Sequence, residues 1–193
     1  MQGLTFDAAS HTYRLDGEPI DGVTSVLNRI MPGYQASQWH LNRGTAVHAA
    51  AAMIGRGQEI ANLDPRIAGQ AEACRLFWRE WNPAALAIEE RVVSRRHRYA
   101  GTMDLLAGIN GKLTMIDYKG SIGPGTGHQL AAYAIAAEEC GIARTGLIKH
   151  GLAVVLAESG KYSVREYDLR PLRAEWLALL AADRIRRREG VTE

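Results

Sequence analysis

The sequence YAGTMDLLAGINGKLTMIDYK, which spans residues 99–119, decides the fold. Its two halves are rich in apolar and β-favouring residues, and they are separated by Asn110-Gly111, a dipeptide that favours the tight turn of a β-hairpin. We therefore predict two antiparallel strands, over residues 99–109 and 112–118. The segments on either side of this hairpin must supply the elements that cover it.

These flanking segments alternate between strand and helix patterns. Residues 88–94 have a β-rich pattern and predict a third antiparallel strand. A Gly-rich connection over residues 120–127, interpreted as a lid or substrate loop, leads into a helix, two strands joined through Ser159-Gly160, and a final amphipathic helix that begins at Pro171. The helix and the two strands are expected over residues 128–140, 147–157 and 162–169.

The N-terminal part of the chain predicts a hairpin and three helices. Asp16-Gly17 is the expected turn between strands at residues 12–15 and 18–20, and a short helix follows from about Thr24 to the Pro32-Gly33 break. A second helix is expected from residues 36–37 to about Ile54. A third has Pro65 as its first residue and one buried face, formed by Ile67, Ala71, Cys74, Trp78 and Trp81.

Length and composition favour one α/β domain. The chain has 193 residues, of which 47% are hydrophobic and 23% charged, an ordinary globular balance. We expect one domain over residues 1–193, with the hairpin and short helix in 1–37 and the core in 38–193. Its sheet should be mixed, mostly antiparallel, of about five strands, and flanked by helices.

The same numbers exclude several classes of protein. The net charge of +2 gives no global field for indiscriminate nucleic-acid binding, so any such binding must be local. Cys74 and Cys140 stand alone at wide spacing, which argues against zinc and iron-sulfur sites. The chain has neither a long apolar run nor a signal-peptide pattern, so we expect a cytoplasmic protein that does not bind membranes.

The end of the central hairpin carries the sharpest chemical signal. Asp117 and Lys119 are two residues apart on a strand and therefore project to the same face. Asp104, on the neighbouring strand, can lie beside Asp117, and two adjacent carboxylates favour a hard cation such as Mg²⁺ between them. Taken singly, the same residues are also consistent with a cross-strand ion pair and with an aspartate that faces water. A lone His48 is likewise consistent with a structural histidine.

Other motifs give weaker signals. The Gly-rich segment 120–127 lacks the Gly-Lys-Ser/Thr ending of a phosphate-binding P-loop. The arginine runs at residues 95–98 and 184–188 are typical of a solvated turn and a helix end. The first run lies in the hairpin that leads to Asp104, where its arginines could contact phosphate.

Taken together, these motifs resemble the RecB-like branch of the PD-(D/E)XK nuclease superfamily, in particular its stand-alone phage-type exonucleases. The resemblance covers residues 5–133, about two thirds of the chain. The matching pieces follow the N-terminal hairpin in order: GVTSVL at 22–27, RGTAVH at 43–48, IEERV at 88–92, AGTMD at 100–104, IDYK at 116–119 and HQLAAY at 128–133.

The resemblance implies a role for each matching residue. It implies metal ligation by His48, Asp104, Asp117 and the main-chain carbonyl of Tyr118, with Lys119 as the catalytic lysine. The expected catalytic set is Lys119, Asp104, Asp117, Glu89, Gln129 and Tyr133, and the expected substrate-binding set is Arg43, Arg96, Arg98, Gln129 and Tyr133. Two points stay open: Glu90 competes with Glu89 for the strand glutamate, and Gly120-Ser121 replaces the threonine that many relatives have after the lysine.

By this resemblance the chain is expected to be a Mg²⁺- or Mn²⁺-dependent DNA nuclease with a PD-(D/E)XK core. Two metal ions and no iron-sulfur cluster are expected, and the activity would be that of an exonuclease in phage or prophage DNA recombination, repair or processing. A phage recombination protein or a single-strand-binding protein is an expected partner, in a bacterial or phage-infected cytoplasm. The alternatives are a non-catalytic nucleic-acid-binding module and a structure-selective or RNA-directed endonuclease on the same fold.

Overall fold

The computed structural model describes residues 3–7, 10, 12–31 and 38–191, with the backbone alone for 38–42. Within these ranges the strands are β1 (Leu4–Asp7), β2 (Thr12–Leu15), β3 (Glu18–Gly22), β4 (Ala84–Ser94), β5 (Tyr99–Ile109), β6 (Lys112–Lys119), β7 (His150–Leu156) and β8 (Tyr162–Asp168). The α-helices are α1 (Val23–Ile30), α2 (Gln38–Gly55), α3 (Ala68–Trp81), α4 (Thr126–Glu139) and α5 (Leu169–Arg188), and a 3-10 turn, Pro65–Ile67, precedes α3.

The described strands form one mixed sheet of eight strands in the order β1-β2-β3-β5-β6-β7-β8, with β4 on the other edge of β5. The pairs β3–β5 and β6–β7 are parallel and the other described pairs are antiparallel. The fold is thus mixed α/β, as predicted. The expected count of about five strands is wrong, because β3 pairs through Asp21 and Gly22 with the start of β5 and so joins the N-terminal strands to the sheet.

Helices cover both faces of the sheet. On one face α1, α4 and α5 contribute Val26, Leu130 and Trp176 to a core that also contains Met103 and Met115 from the sheet. On the other face α2 and α3 contribute Ala51, Cys74 and Phe77, which pack against Leu105 and Ile116 among others. Both core layers meet at β5 and β6, so the central hairpin is buried on its two faces.

Most predicted elements are present, with shifted ends. The φ angles of 48° at Asn110 and 74° at Gly111 confirm the tight turn of the central hairpin. The third helix begins at Ala68 and not at Pro65, because Asp64 accepts the backbone N–H of Arg66 and caps a separate 3-10 turn. The expected helix break at Pro32-Gly33 and the expected start of α2 at residues 36–37 lie outside the described residues.

Two further helices begin earlier than predicted. The last helix begins at Leu169 and not at Pro171, because the Asp168 side chain accepts the backbone N–H of Arg170 at 3.0 Å. Helix α4 begins at Thr126 and not at His128, and the Thr126 hydroxyl accepts the backbone N–H of Gly123. Strand β4 begins at Ala84 and not at Ile88, since its first residues pair with the end of β5.

Strand β5 has a gap along one edge that positions the candidate site. On this edge β3 pairs with Tyr99 and Ala100, whereas β6 pairs with residues 105–109. Within the described part of the chain, residues 101–104 have no strand partner on that edge. Asp104 is the last residue of the gap, at the point where β6 separates from β5.

Candidate active site

Asp104 lies where β6 separates from β5, and its side chain binds the backbone of β6 beyond that point. The register that pairs Leu105 with Ile116 would next place Asp104 opposite Asp117, but the backbone ladder stops there. Instead, Asp104 Oδ2 accepts the backbone N–H of Tyr118 at 2.7 Å. This bond replaces a ladder hydrogen bond and holds Asp104 and Asp117 at the same end of the hairpin, as the sequence predicts.

His48 of α2 reaches the same carboxylate from the helical layer. Its Nδ1 lies 3.0 Å from Asp104 Oδ1, and the imidazole is half-buried. The charge of Asp104 raises the pKa of His48 to about 9, against the opposing effect of burial. His48 and Asp104 therefore form a hydrogen-bonded ion pair at neutral pH, and the structure brings this histidine to the predicted cluster.

Asp117 and Lys119 form the second charged pair, and two side chains of α4 hold it in place. Lys119 Nζ lies 2.7 Å from Asp117 Oδ2 and donates to Gln129 Oε1 at 2.8 Å. Gln129 Nε2 donates to Asp117 Oδ1 at 3.1 Å and to the Tyr133 hydroxyl at 3.0 Å. Gln129 and Tyr133 are four residues apart on one helix face, which confirms the predicted spacing.

Burial and the neighbouring charges together shift the pKa values of Asp117 and Lys119. Burial raises the pKa of Asp117, and the nearby charge of Asp104 adds to that effect, while Lys119 and His48 oppose it. Burial lowers the pKa of Lys119, but the Asp117 carboxylate outweighs it and the net pKa is raised. Asp117 Oδ2 lies 2.7 Å from the Lys119 ammonium, and among the described residues no other donor reaches this buried oxygen.

Of the two adjacent glutamates on β4, Glu89 is the one near the charged cluster of His48, Asp104, Asp117 and Lys119. Glu89 has a φ of 51°, an unusual value inside a strand, and its position in the β4–β5 register is opposite Asp104. Burial and the charge of Asp104 raise the pKa of Glu89, although the residue as a whole is solvent-exposed. Glu90 pairs with Met103 one position further along. The twist at Glu89 thus brings its carboxyl group within electrostatic range of Asp104 and His48.

A cleft with a volume of about 780 Å³ opens above Lys119. Its walls come from α1, from residues 43–48 of α2, from Gln70 at the start of α3 and from the Gly-rich residues 120–125. The segment expected to be a lid or substrate loop therefore lines the cleft, and its role stays a prediction. Arg43 also lines it and forms an ion pair with Glu158 of the turn between β7 and β8. His48, Lys119 and Gln129 form part of the same surface.

Arg96 and Arg98 are not brought to this cleft. Both lie in the turn between β4 and β5, and Asp104 is several residues further along β5, roughly 3.3 Å per residue. The Arg96 backbone N–H donates to Glu139, and the Arg98 carbonyl accepts from Arg184. A substrate that occupied both the cleft and this turn would have to extend over that distance.

Tyr118 contributes to the site through its backbone, while its side chain is structural. The hydroxyl accepts from Trp78 Nε1 at 2.9 Å, and the ring packs edge-on against Phe77. Burial raises the pKa of this hydroxyl well above its usual value. Tyr118 therefore anchors the end of β6 to α3 and fixes the backbone that lies between the two charged residues.

The charges of the cluster neutralise one another. Within residues 3–7, 10, 12–31 and 38–191, no three His, Cys, Asp or Glu side chains are grouped closely enough to hold a metal ion. The two carboxylates are neutralised instead by His48 and Lys119. The donor chemistry nevertheless fits a hard cation, because two carboxylates lie together and the buried Oδ2 of Asp117 has only the Lys119 ammonium beside it among the described residues.

Sequence reasoning missed Gln70 and Tyr13 near the site. Gln70 of α3 lines the cleft, and Tyr13 of β2 lies 3.0 Å from Thr102 of β5, hydroxyl to hydroxyl. Neither residue belongs to a chemical motif. Both reach the site through contacts between segments that are far apart in sequence, which no local pattern could have indicated.

Comparison with known proteins gives only distant structural similarity. No protein-family model matches the chain, and no curated protein matches it. The structure of LHK-Exo in complex with dAMP is 11% identical, with a TM-score of 0.36 over 89% of this chain and 93% of the other. A second structure, of the alkaline exonuclease LHK-Exo from Laribacter hongkongensis, is 13% identical, with a TM-score of 0.33 over 88% and 92%.

Among the described helices, none combines the length and the apolar character needed to span a bilayer.

Proposed function

We propose that this chain is a metal-dependent DNA nuclease built on a PD-(D/E)XK core. One observation carries the proposal: the buried carboxylates of Asp104 and Asp117 lie beside Lys119, which lines a cleft, and Gln129 bonds to both members of the Asp117–Lys119 pair. Bringing a lysine and two carboxylates together in a half-buried place costs desolvation free energy, and such clusters in clefts are typical of functional sites. Phosphodiester hydrolysis uses this combination of groups.

The side chains that would hold a divalent cation are those of Asp104, Asp117 and His48, together with the carbonyl of Tyr118. Cation binding would require the carboxylate oxygens that now face His48 and Lys119 to turn towards the ion. A pair of bound Mg²⁺ or Mn²⁺ ions would polarise the scissile phosphate and lower the pKa of a water molecule. Glu89, at the rim of the cluster, adds a further carboxylate on the same side of the sheet.

Lys119 would act on the reacting phosphate. Lys119 lines the cleft, where its ammonium can stabilise negative charge that builds on a phosphate oxygen. Gln129 and Tyr133 are positioning residues: Gln129 bonds to Lys119 and Asp117, Tyr133 accepts from Gln129, and both are buried in α4. Arg43, on the cleft wall, would contact the substrate backbone once its pair with Glu158 opens.

The finer assignment follows the sequence motifs. We expect an exonuclease that acts on DNA in phage or prophage recombination, repair or processing, in a bacterial or phage-infected cytoplasm. A phage recombination protein or a single-strand-binding protein would be its partner. Arg96 and Arg98, in the turn between β4 and β5, would contact only a substrate that extends beyond the cleft.

The test is incubation of the purified chain with end-labelled single- and double-stranded DNA, with Mg²⁺ or Mn²⁺ and with EDTA. We expect metal-dependent shortening of the DNA, with mononucleotides or short fragments released from one end. Retarded but intact DNA would favour a non-catalytic binding module. Cleavage of RNA alone, or of branched DNA at internal positions, would favour the endonuclease alternatives.

A further inference from the structure

Gln70 is a buried polar side chain whose function the fold does not explain. It lies in the first turn of α3 and is 5% exposed, and its Oε1 has no hydrogen-bond partner among the described residues. A buried amide oxygen without a partner costs free energy, because it has given up its hydrogen bonds to water. The same side chain lines the cleft that contains Lys119.

The backbone around Gln70 is held tightly. A Cβ on the preceding residue, Gly69, would lie 1.8 Å from the carbonyl oxygen of Glu158, so the start of α3 is pressed against the turn between β7 and β8. This close approach leaves the helix little room to move Gln70 towards another acceptor or donor of the chain. Gln70 therefore belongs both to the tightly packed start of α3 and to the lining of the cleft.

The surroundings indicate what kind of group would meet this oxygen. Lys119 pairs with Val155 in the β6–β7 register, so Leu156 and the start of α3 border the cleft on its β7 side. On this side Arg43 forms an ion pair with Glu158. A carbonyl oxygen accepts hydrogen bonds and cannot bind a phosphate oxygen, which also only accepts.

We propose that Gln70 is a specificity residue that accepts a hydrogen bond from a neutral N–H or O–H group of the nucleotide next to the scissile bond. The inference rests on the proposed nuclease function and adds to it the β7-side contact. In DNA the donor is a base N–H, because deoxyribose within a strand has no hydroxyl; a ribose 2′-hydroxyl is the alternative donor that the test distinguishes. Phosphate contacts set the position of the strand, whereas this contact would distinguish nucleotides by the hydrogen-bond donors that they carry.

The test uses Gln70→Met, which keeps the length of the side chain and removes the amide, with Gln58→Met as the control at an exposed position. First-turnover cleavage is measured on DNA oligonucleotides with a normal base or an abasic residue beside the cleaved bond, and on matched substrates with one ribose there. We expect Gln70→Met to lose roughly 3- to 10-fold in kcat/KM on the substrate with the donor, the size of one hydrogen bond.

The double-mutant pattern identifies the source of the donor. If the donor is the base, the abasic change and Gln70→Met each lower kcat/KM, and the two together lower it no further. If it is the sugar hydroxyl, Gln70→Met removes the preference for the ribose and the abasic change is independent of it. Equal cleavage by wild type and Gln70→Met on all four substrates would overturn the proposal.

A stability measurement separates this function from a structural one. Because the Gln70 oxygen is unpaired, we expect Gln70→Met to have a melting temperature equal to or above that of wild type while it loses activity. A lower melting temperature with unchanged substrate preference would assign Gln70 to the fold and overturn the proposal. If wild type cleaves none of the oligonucleotides, the proposed nuclease function is wrong. The contact of Gln70 with DNA is then tested separately, by comparing the DNA affinities of wild type and Gln70→Met, and equal affinities would overturn it.

Discussion

Asp104 Oδ2 accepts the backbone N–H of Tyr118 at 2.7 Å, where the ladder between β5 and β6 ends. A side chain thus takes the place of a backbone carbonyl and allows the two strands to separate without leaving a buried N–H unpaired. The separation makes room for the charged cluster. The fold and the candidate chemistry therefore depend on the same carboxylate.

This double role predicts different results for two substitutions of Asp104. Asp104→Ala leaves the Tyr118 N–H buried and unpaired, so we expect the free energy of unfolding to fall by about 1 to 3 kcal/mol. Asp104→Asn keeps an acceptor for that N–H and should lose much less stability, while both variants lose cleavage. Urea unfolding measures the difference. Equal losses in the two variants would show that the hydrogen bond to Tyr118 contributes little.

Metal affinity should depend on Asp117 more than on His48. Asp117→Ala is expected to eliminate binding, because this carboxylate is almost fully buried and its Oδ2 has only the Lys119 ammonium beside it. His48→Ala should weaken or remove one of two ions, with the larger effect for Mn²⁺, which accepts nitrogen ligands better than Mg²⁺. Calorimetric titration decides, with His97→Ala in the β4–β5 turn as the control. Unchanged affinity and stoichiometry in His48→Ala would make this histidine structural.

Gly101 of β5 is expected to tolerate no side chain, because Tyr133 packs against it. A Cβ at Gly101 would lie 2.4 Å from Tyr133 Cε1, whereas a Cβ at Gly108 of the same strand would come no closer than 3.8 Å to Ala84. Gly101→Ala should therefore displace Tyr133 from Gln129 and lower the free energy of unfolding by roughly 1 to 3 kcal/mol. It should also slow cleavage.

Gly108→Ala is the matched control, and thermal unfolding with a cleavage assay measures both variants. If Gly101→Ala behaves like Gly108→Ala in both measurements, the contact between Tyr133 and β5 is not required.

A buried ion pair outside the site predicts loss of stability in acid. Glu138 of α4 accepts from Arg173 and from the backbone N–H groups of Gly146 and Ile148, at 2.8 to 2.9 Å. Burial alone would raise the pKa of Glu138, but Arg173 and these N–H groups lower it below its ordinary value of 4.5. Because the folded pKa is the lower one, this stabilisation is present above about pH 4.5 and is lost as the pH falls through the folded pKa.

Glu138→Gln should therefore lower the free energy of unfolding at pH 7 by about 1 to 3 kcal/mol, and the difference from wild type should shrink in acid. Glu189→Gln, which removes an exposed pair with Arg188, is the control and should change stability by less than about 1 kcal/mol. Urea unfolding between pH 7 and pH 3 measures both. A difference for Glu138→Gln that is constant with pH would contradict the pKa argument.

The sequence predicts the parts of this structure that local chemistry determines. Asn110-Gly111 sets the hairpin turn, and that hairpin brings Asp104 next to Asp117. The spacing of Gln129 and Tyr133 places both on one face of α4. These features depend on neighbours in sequence, or on two strands joined by two residues.

The missed features depend on contacts between distant segments. The first residues of β4 are alanines with weak strand preference, and they become a strand only through pairing with β5. The positive φ of Glu89, at the position opposite Asp104 in the β4–β5 register, has no counterpart in the local sequence pattern. Gln70 likewise reaches the cleft because Gly69 lets α3 approach the turn at Glu158.

The most direct test of the account compares Lys119→Ala with Lys112→Ala, since the two lysines stand at opposite ends of β6 and Lys112 is exposed. Single-turnover cleavage of end-labelled DNA in Mg²⁺ and DNA affinity are measured for both. We expect Lys119→Ala to lose about 100- to 1,000-fold or more in rate while it still binds DNA, because its ammonium acts on charge that develops during the reaction. Lys112→Ala should cleave like wild type. Cleavage by Lys119→Ala at the wild-type rate would reduce the cluster to a structural ion pair and contradict the proposed function.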